Sequence, residues 1–209
     1  EDQYLLNTLK DLTFDNIYHE HYNYWSLTSL DNFFNKLEAK IYRSEKIETH
    51  GGSLRIYVTK DKNKKVEKNV KKLLEEEKIF GIKKYETYKR FGEKVYKIRE
   101  NILENFNKLR KSNKKIIGFG APAKATTALN FYGTSDLFDF IVEDNELKHN
   151  KFIPGVKIPI KSKKIVKSNN NTMIVLAWNF FKDIKKNNKD LNLEFINIKD
   201  LEEKNFKIA

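Results

Sequence analysis

From Lys114 to the end of the chain, short apolar runs alternate with helical ones, and that alternation leaves few folds open. "KKIIGFG" reads as a buried strand running into glycine, and "APAKATTALNFYG" as a helix. "LFDFIVEDN" and "TMIVLAW" read as further strands, "NFFKDIKKNN" as a second helix and "LEFINI" as a last strand. Strands joined by helical crossovers pair in parallel, because the helix carries the chain back to the edge it left. The expectation is an α/β fold, with a Rossmann-like parallel sheet over residues 113–209 and a boundary near Asn113.

Upstream, the composition is helical from Lys62 to about Ser112, with a break near Phe80-Gly81. Tyr88, Phe91, Val95, Ile98, Ile102, Phe106 and Leu109 step by three and four, which predicts one apolar stripe on a helix on the order of 40 Å long. Packing is the simplest use of such a stripe, and it leaves homodimerisation open. Further upstream, Leu5, Leu6 and Leu9 have helical spacing. Ser26 or Ser29 can cap a helix whose apolar face is Leu30, Phe33, Phe34 and Leu37. "AKIYRSEKIETH" and "SLRIYVTK" read as two strands around His50-Gly51-Gly52, the second alternating Leu54, Ile56 and Val58 with Arg55 and Tyr57.

With 209 residues, 39% of them hydrophobic and 13% aromatic, the chain can bury a core. It has no cysteine, so it holds no disulfide and no thiolate metal site, which fits a reducing cytoplasm. No run of about 18 apolar residues predicts a membrane span. The chain starts without methionine, and "EDQYLLNTLKDL" lacks the blocks of a signal peptide, so it reads as part of a longer polypeptide. The net charge of +12 raises the question of nucleic acid. Lysines interleaved with glutamates, as in "DKNKKVEKNVKKLLEEEK", instead read as solvated helix faces that would still attract an anionic metabolite.

Three stretches carry chemistry. In "GFGAPAKA", Gly118, Gly120 and Ala123 match the G-x-G-x-x-A spacing between a strand and a helix. There the first glycine permits a tight turn, the second lets backbone amides approach a diphosphate, and Lys124 adds positive charge. Glu143-Asp144 ends the next strand, roughly 20 residues on, where a ribose-binding carboxylate belongs. Pro122 inside the turn and the presence of one nucleotide-binding half argue for a structural turn instead. In "THGGSLRIYV", Gly51 and Gly52 permit close approach to a ligand while His50 and Ser53 offer hydrogen bonds; a plain hairpin explains the glycines equally well. In "FDNIYHEHYNYWSL", an extended backbone at residues 18–21 puts His19 and His21 on one face, Tyr18 and Glu20 on the other. A base, an orienting carboxylate and a hydroxyl suit proton transfer, and a buried polar network fits the same residues.

Together and in this order, "FDNIYHEHYNYWSLTSL", "HGGSLRIYV", "GFGAPAKATTALN", "VEDNELKHNKFIPGVKIPI" and "VLAWNF" resemble the S-adenosylmethionine-dependent C-methyltransferases of deoxysugar pathways, which methylate nucleotide-linked keto-sugars. The resemblance covers essentially the whole chain. It implies a protein of three parts: a small zinc-binding domain, a methyltransferase domain and a C-terminal Rossmann-like domain. Residues 1–60 then match the end of the catalytic domain, 61–112 connecting helices, and 113–209 the C-terminal domain. S-adenosylmethionine would be bound mainly by a part upstream of this chain, and zinc only by an N-terminal domain.

The resemblance also implies roles. His21 becomes the base or proton relay, Glu20 its orienting partner, and Tyr18 a donor to the keto oxygen of an enolate, with His19 structural. Gly118, Gly120 and Lys124 would help hold the diphosphate of a sugar nucleotide, with His50, Gly51, Gly52 and Ser53 as further substrate contacts. The implied partner is a nucleotide-diphosphate sugar, in the cytoplasm, with no nucleic acid and no membrane. Two other readings stay open: a non-catalytic sugar-nucleotide-binding domain, and a small NAD-binding oxidoreductase built on "GFGAPA".

Overall fold

Ser26 shows how local chemistry starts an element. Its hydroxyl accepts from the Ser29 amide and its own amide donates to the Ser29 hydroxyl, each at 3.0 Å. This reciprocal box satisfies two amides at the start of helix α2, Leu27–Lys36. The computed structural model describes residues 1–48, 52–111, 115–133, 135–166 and 171–206. They divide into two compact units, Glu1–Val95 and Tyr96–Ala209.

The first unit contains strand β1 (Asp2–Gln3), helix α1 (Leu5–Lys10), α2, strands β2 (Lys40–Ile47) and β3 (Ser53–Thr59), and helix α3 (Lys68–Phe80). The strands form an antiparallel sheet in the order β1-β3-β2, with a bulge between Ile41 and Arg43. As its alternation requires, β3 turns Leu54, Ile56 and Val58 toward a core built on Tyr4, Leu6, Leu9, Leu27, Ile41, Val70 and Leu73. Leu30 and Phe34 of α2 join that core, while Phe33 and Leu37 are exposed. Phe33 lies instead against Trp25, and Leu37 is the residue at which the helix has ended. Gly81 stops α3 in the left-handed region, at φ +84°.

Glu77 on α3 has no solvent exposure, yet its side chain is a carboxylic acid. It accepts the Tyr4 hydroxyl at 2.8 Å and the backbone amides of Leu27 and Thr28 at 2.6 and 2.8 Å. Those two amides open α2 and have no partner within their own helix. Bonds from such donors to a carboxylate contribute roughly 1.5–3 kcal/mol each, which offsets its desolvation.

Helix α4, Tyr85–Arg110, gives its first turns to one unit and the remainder to the other. Its stripe is buried within the chain from Val95 to Leu109, in line with the packing role, while Tyr88 at its start is exposed. In the second unit the helix is followed by β4 (Lys115–Phe119), α5 (Ala123–Tyr132), β5 (Phe140–Val142), β6 (Ile160–Lys161), β7 (Asn171–Val175), α6 (Phe181–Asn187) and β8 (Glu194–Asn197). All five strands are parallel, in the order β6-β5-β4-β7-β8. The chain fills one side of β4, then crosses to the other, so the order reverses between β4 and β7. The fold is α/β and Rossmann-like. The two-residue edge strand β6 was not foreseen, because a run that short carries no periodicity.

One face of this sheet buries Ile117, Phe119, Val142, Met173 and Val175, with Phe181 and Ile184 of α6 packed on it. On the other, Phe106 of α4 meets Phe138 edge-on at 5.1 Å. Asn105 fastens α4 to the end of the chain by donating to the carbonyls of Leu201 and Glu203. No helix among the described residues is long and apolar enough to cross a membrane.

Two outcomes are expected from the Glu77 hub. Glu77→Ala orphans one hydroxyl and two amides, and is expected to cost about 3 kcal/mol or more in urea unfolding; a cost below about 1 kcal/mol, the range of an exposed pair, would contradict the hub. Tyr4 titrates far above its ordinary value of 10.0, chiefly through burial and then through the Glu77 charge and hydrogen bond. A raised folded value stabilises below the unfolded one and that stabilisation is lost as pH rises. Between pH 9 and about 11, Tyr4→Phe is therefore expected to lose less stability than the wild type.

Candidate functional site

The stretch from Phe14 to His21 is not a strand. Phe14–Asn16 forms a 3-10 turn, and the next residues fold back, with the His21 amide donating to the Tyr18 carbonyl at 2.9 Å. A turn that closes three residues apart brings residues 18 and 21 together, where a strand would have separated them. The expected facing of His19 with His21 is thereby overturned. The rings of Tyr18 and His21 lie 4.2 Å apart between centroids, tilted by 37°. His19 and Glu20 occupy the outer tip, their side chains 83% and 68% exposed and 3.9 Å from one another.

The Asn16 carbonyl is the anchor of this turn. It lies 2.8 Å from His21 Nδ1 and accepts the Tyr24 hydroxyl at 2.9 Å and the Tyr18 amide at 3.1 Å. Asn16 is fully buried, and its side-chain amide has no partner among the described residues. The Tyr18 hydroxyl titrates above its ordinary value, first through burial and then through the charges of Glu20 and Asp15. It therefore stays protonated at neutral pH and can donate. Imidazole and phenol side by side form an acid–base pair able to accept one proton and donate another. Asn16 and Tyr24 were not singled out from the sequence, because a backbone carbonyl leaves no mark in residue type.

Of the hairpin residues, His50 and Gly51 lie outside the described residues. Gly52 has φ +112°, and a Cβ there would come within 2.1 Å of Asn7 Nδ2. Ser53 is buried in β3, in register with Gln3 and Ile47. Packing against α1 and the neighbouring strands accounts for both.

The two glycines of the second unit divide their work otherwise than the spacing suggests. Gly118 lies inside β4, where a Cβ would be 2.8 Å from Ile141 Cγ1, so packing excludes a side chain. Gly120, at φ +91°, makes the turn. Its amide donates to the Val142 carbonyl at 2.8 Å, and the next amide, of Ala121, donates to Glu143 Oε2 at 2.8 Å. Glu143 Oε1 also accepts the Asn145 amide at 3.1 Å. Lys148 completes the loop by donating to the Ala121 carbonyl at 2.9 Å, its ammonium 3.6 Å from Glu143 Oε2. The acid expected to meet a ribose is instead spent on the loop itself, while Asp144 beside it is exposed.

Lys124, in the first turn of α5, places Nζ 5.1 Å from the ring centre of Trp178, and Lys199 approaches the same ring at 5.3 Å. Trp178 follows the carboxyl end of β7, beside Ala177, whose Cβ is 3.2 Å from where a Cβ of Gly120 would be. These residues stand at the carboxyl ends of β4, β7 and β8, where the strand order reverses. Such a crevice is the usual ligand position in open α/β sheets. The indole is flanked by two ammonium groups, and Lys199 also pairs with Glu202 at 2.9 Å. The sequence carried Trp178 only within "VLAWNF", and its place after a buried strand is the signal that identifies it. Among the described residues, no group of three or more histidines and acids gathers to hold a metal ion.

Glu143 titrates below its ordinary value of 4.5: burial opposes ionisation, but the amides of Asn145 and Ala121 and the Lys148 charge outweigh it. A lowered folded value stabilises above the unfolded one and that stabilisation is lost as pH falls. Glu143→Gln is therefore expected to lose less stability than the wild type as pH drops below about 4.5 in a urea series; equal acid sensitivity would contradict the loop described.

Residues 48–195 match the family model described as C-methyltransferase C-terminal domain. The C-methyltransferase NovU of Streptomyces niveus is 31% identical over 193 residues, which cover 91% of this chain and 46% of that protein. The chain thus spans about half the length of the relative it matches. By the extent of the family match, this chain belongs to the C-methyltransferase C-terminal domain family.

Proposed function

We propose that this chain is the C-terminal part of an enzyme that moves a methyl group from S-adenosylmethionine to a carbon of a nucleotide-linked keto-deoxysugar through an enolate. In this reading residues 1–60 end the catalytic domain, and residues 113–209 form a platform for the sugar nucleotide. The observation that carries it is the side-by-side placement of Tyr18 and His21 in one turn. Membership of a C-methyltransferase family supports it.

A carbon beside a ketone becomes a nucleophile only after it loses a proton. His21 takes that proton, the electron pair of the broken C–H bond passes into the enolate, and the Tyr18 hydroxyl donates a hydrogen bond to the developing oxyanion. S-adenosylmethionine offers an electrophilic methyl, but the residues here do not fit it. The glycine turn at Gly120 directs the acid that follows, Glu143, onto the loop's own Ala121 amide. No step is therefore assigned to this chain's residues on the donor side.

The test uses the full-length enzyme carrying this sequence, with hydrogen–deuterium exchange at the substrate carbon measured beside methyl transfer. His21→Gln is expected to lower both by about 10²–10⁴-fold. Exchange at the wild-type rate in that variant would sink the reading.

A further inference from the structure

Within the proposed reaction, the orienting group for His21 is open to a direct reading from geometry. We infer that the Asn16 backbone carbonyl, rather than Glu20, positions His21, and that Nε2 of His21 is the atom that takes the substrate proton. This rests on the reading of His21 as the base.

A backbone carbonyl accepts and never donates, so the 2.8 Å contact with Nδ1 requires the hydrogen to sit on Nδ1. A neutral imidazole carries one N–H, which leaves the lone pair on Nε2. Free histidine in water prefers the opposite tautomer, so the carbonyl selects the rarer form. Glu20 is poorly placed for the task, with its side chain largely exposed beside His19 on the far side of the turn.

The carbonyl itself is well held. Asn16 has no exposure, its amide donates to the Thr13 carbonyl at 3.1 Å, and its own carbonyl takes the Tyr24 hydroxyl as well. Tyr24 is thus a second positioning residue, fixing the acceptor that fixes the base. When a C–H bond of the substrate breaks, the new N–H forms at Nε2 and the Nδ1–H bond to Asn16 strengthens as charge develops on the ring. The partly buried imidazolium then returns its proton to water.

The chain contains its own control. His149 places Nε2 2.7 Å from the Glu143 carbonyl, so the same argument assigns it the opposite tautomer. The test is nitrogen NMR of this chain labelled with ¹⁵N-histidine, at about pH 8.5, where an ordinary imidazole is neutral. His21→Gln and His149→Gln assign the signals. His21 is expected to show a protonated-type Nδ1 and a bare Nε2, His149 the reverse, and Glu20→Gln is expected to leave the His21 pattern unchanged. An Nε2–H signature at His21, or a tautomer change in Glu20→Gln, overturns the assignment whatever the activity data say. Proton exchange that survives His21→Gln in the full-length enzyme instead overturns the base itself, with the tautomer signature unaffected.

Discussion

Glu77 carries a negative charge in a place with no solvent, and the first unit is arranged around keeping it there. Its two oxygens take the Tyr4 hydroxyl and the two amides that open α2. Three segments far apart in sequence are thereby joined: the β1–α1 junction, the start of α2, and the middle of α3. The positive end of the α2 dipole adds to the attraction. The same carboxylate fixes the start of α2, which follows the Tyr18–His21 turn in the chain. Ser26, which closes the segment, is also the N-cap of α2.

The second unit repeats the device with Glu143. There too a carboxylate mostly removed from water serves backbone amides, those of Ala121 and Asn145. The consequence for function differs. Glu77 holds the start of α2, whereas Glu143 occupies amides that a glycine-turn reading would reserve for a ligand. Gly120 still makes the turn, and Lys124, Trp178 and Lys199 cluster at the carboxyl ends of the neighbouring strands.

Much of the fold was legible because period and punctuation agreed. Gly81 stopped a helix where the apolar period broke, Ser26 started one through its capping box, and the near-continuous apolar run of β4 announced a strand buried on both faces. Phe33 and Leu37 belong to the apolar face by spacing yet are exposed, because helical spacing alone does not say how wide the buried stripe is. In the site, Tyr18 and His21 were legible as residue types. Their mutual geometry was not, since an extended backbone would separate residues 18 and 21, whereas the turn closed by the Tyr18 carbonyl brings them together.

By itself the sequence determined the strand–helix order, the positions of the caps, and which residues near Phe14–Trp25 can move protons, because these follow from local propensity and side-chain chemistry. Only the tertiary structure decided which acid serves which partner. Glu77, Glu143 and Glu20 look alike along the chain. Burial and backbone amides supplied by distant segments made the first two structural, while exposure at the tip of a turn left the third beside His19 and gave His21 to a carbonyl.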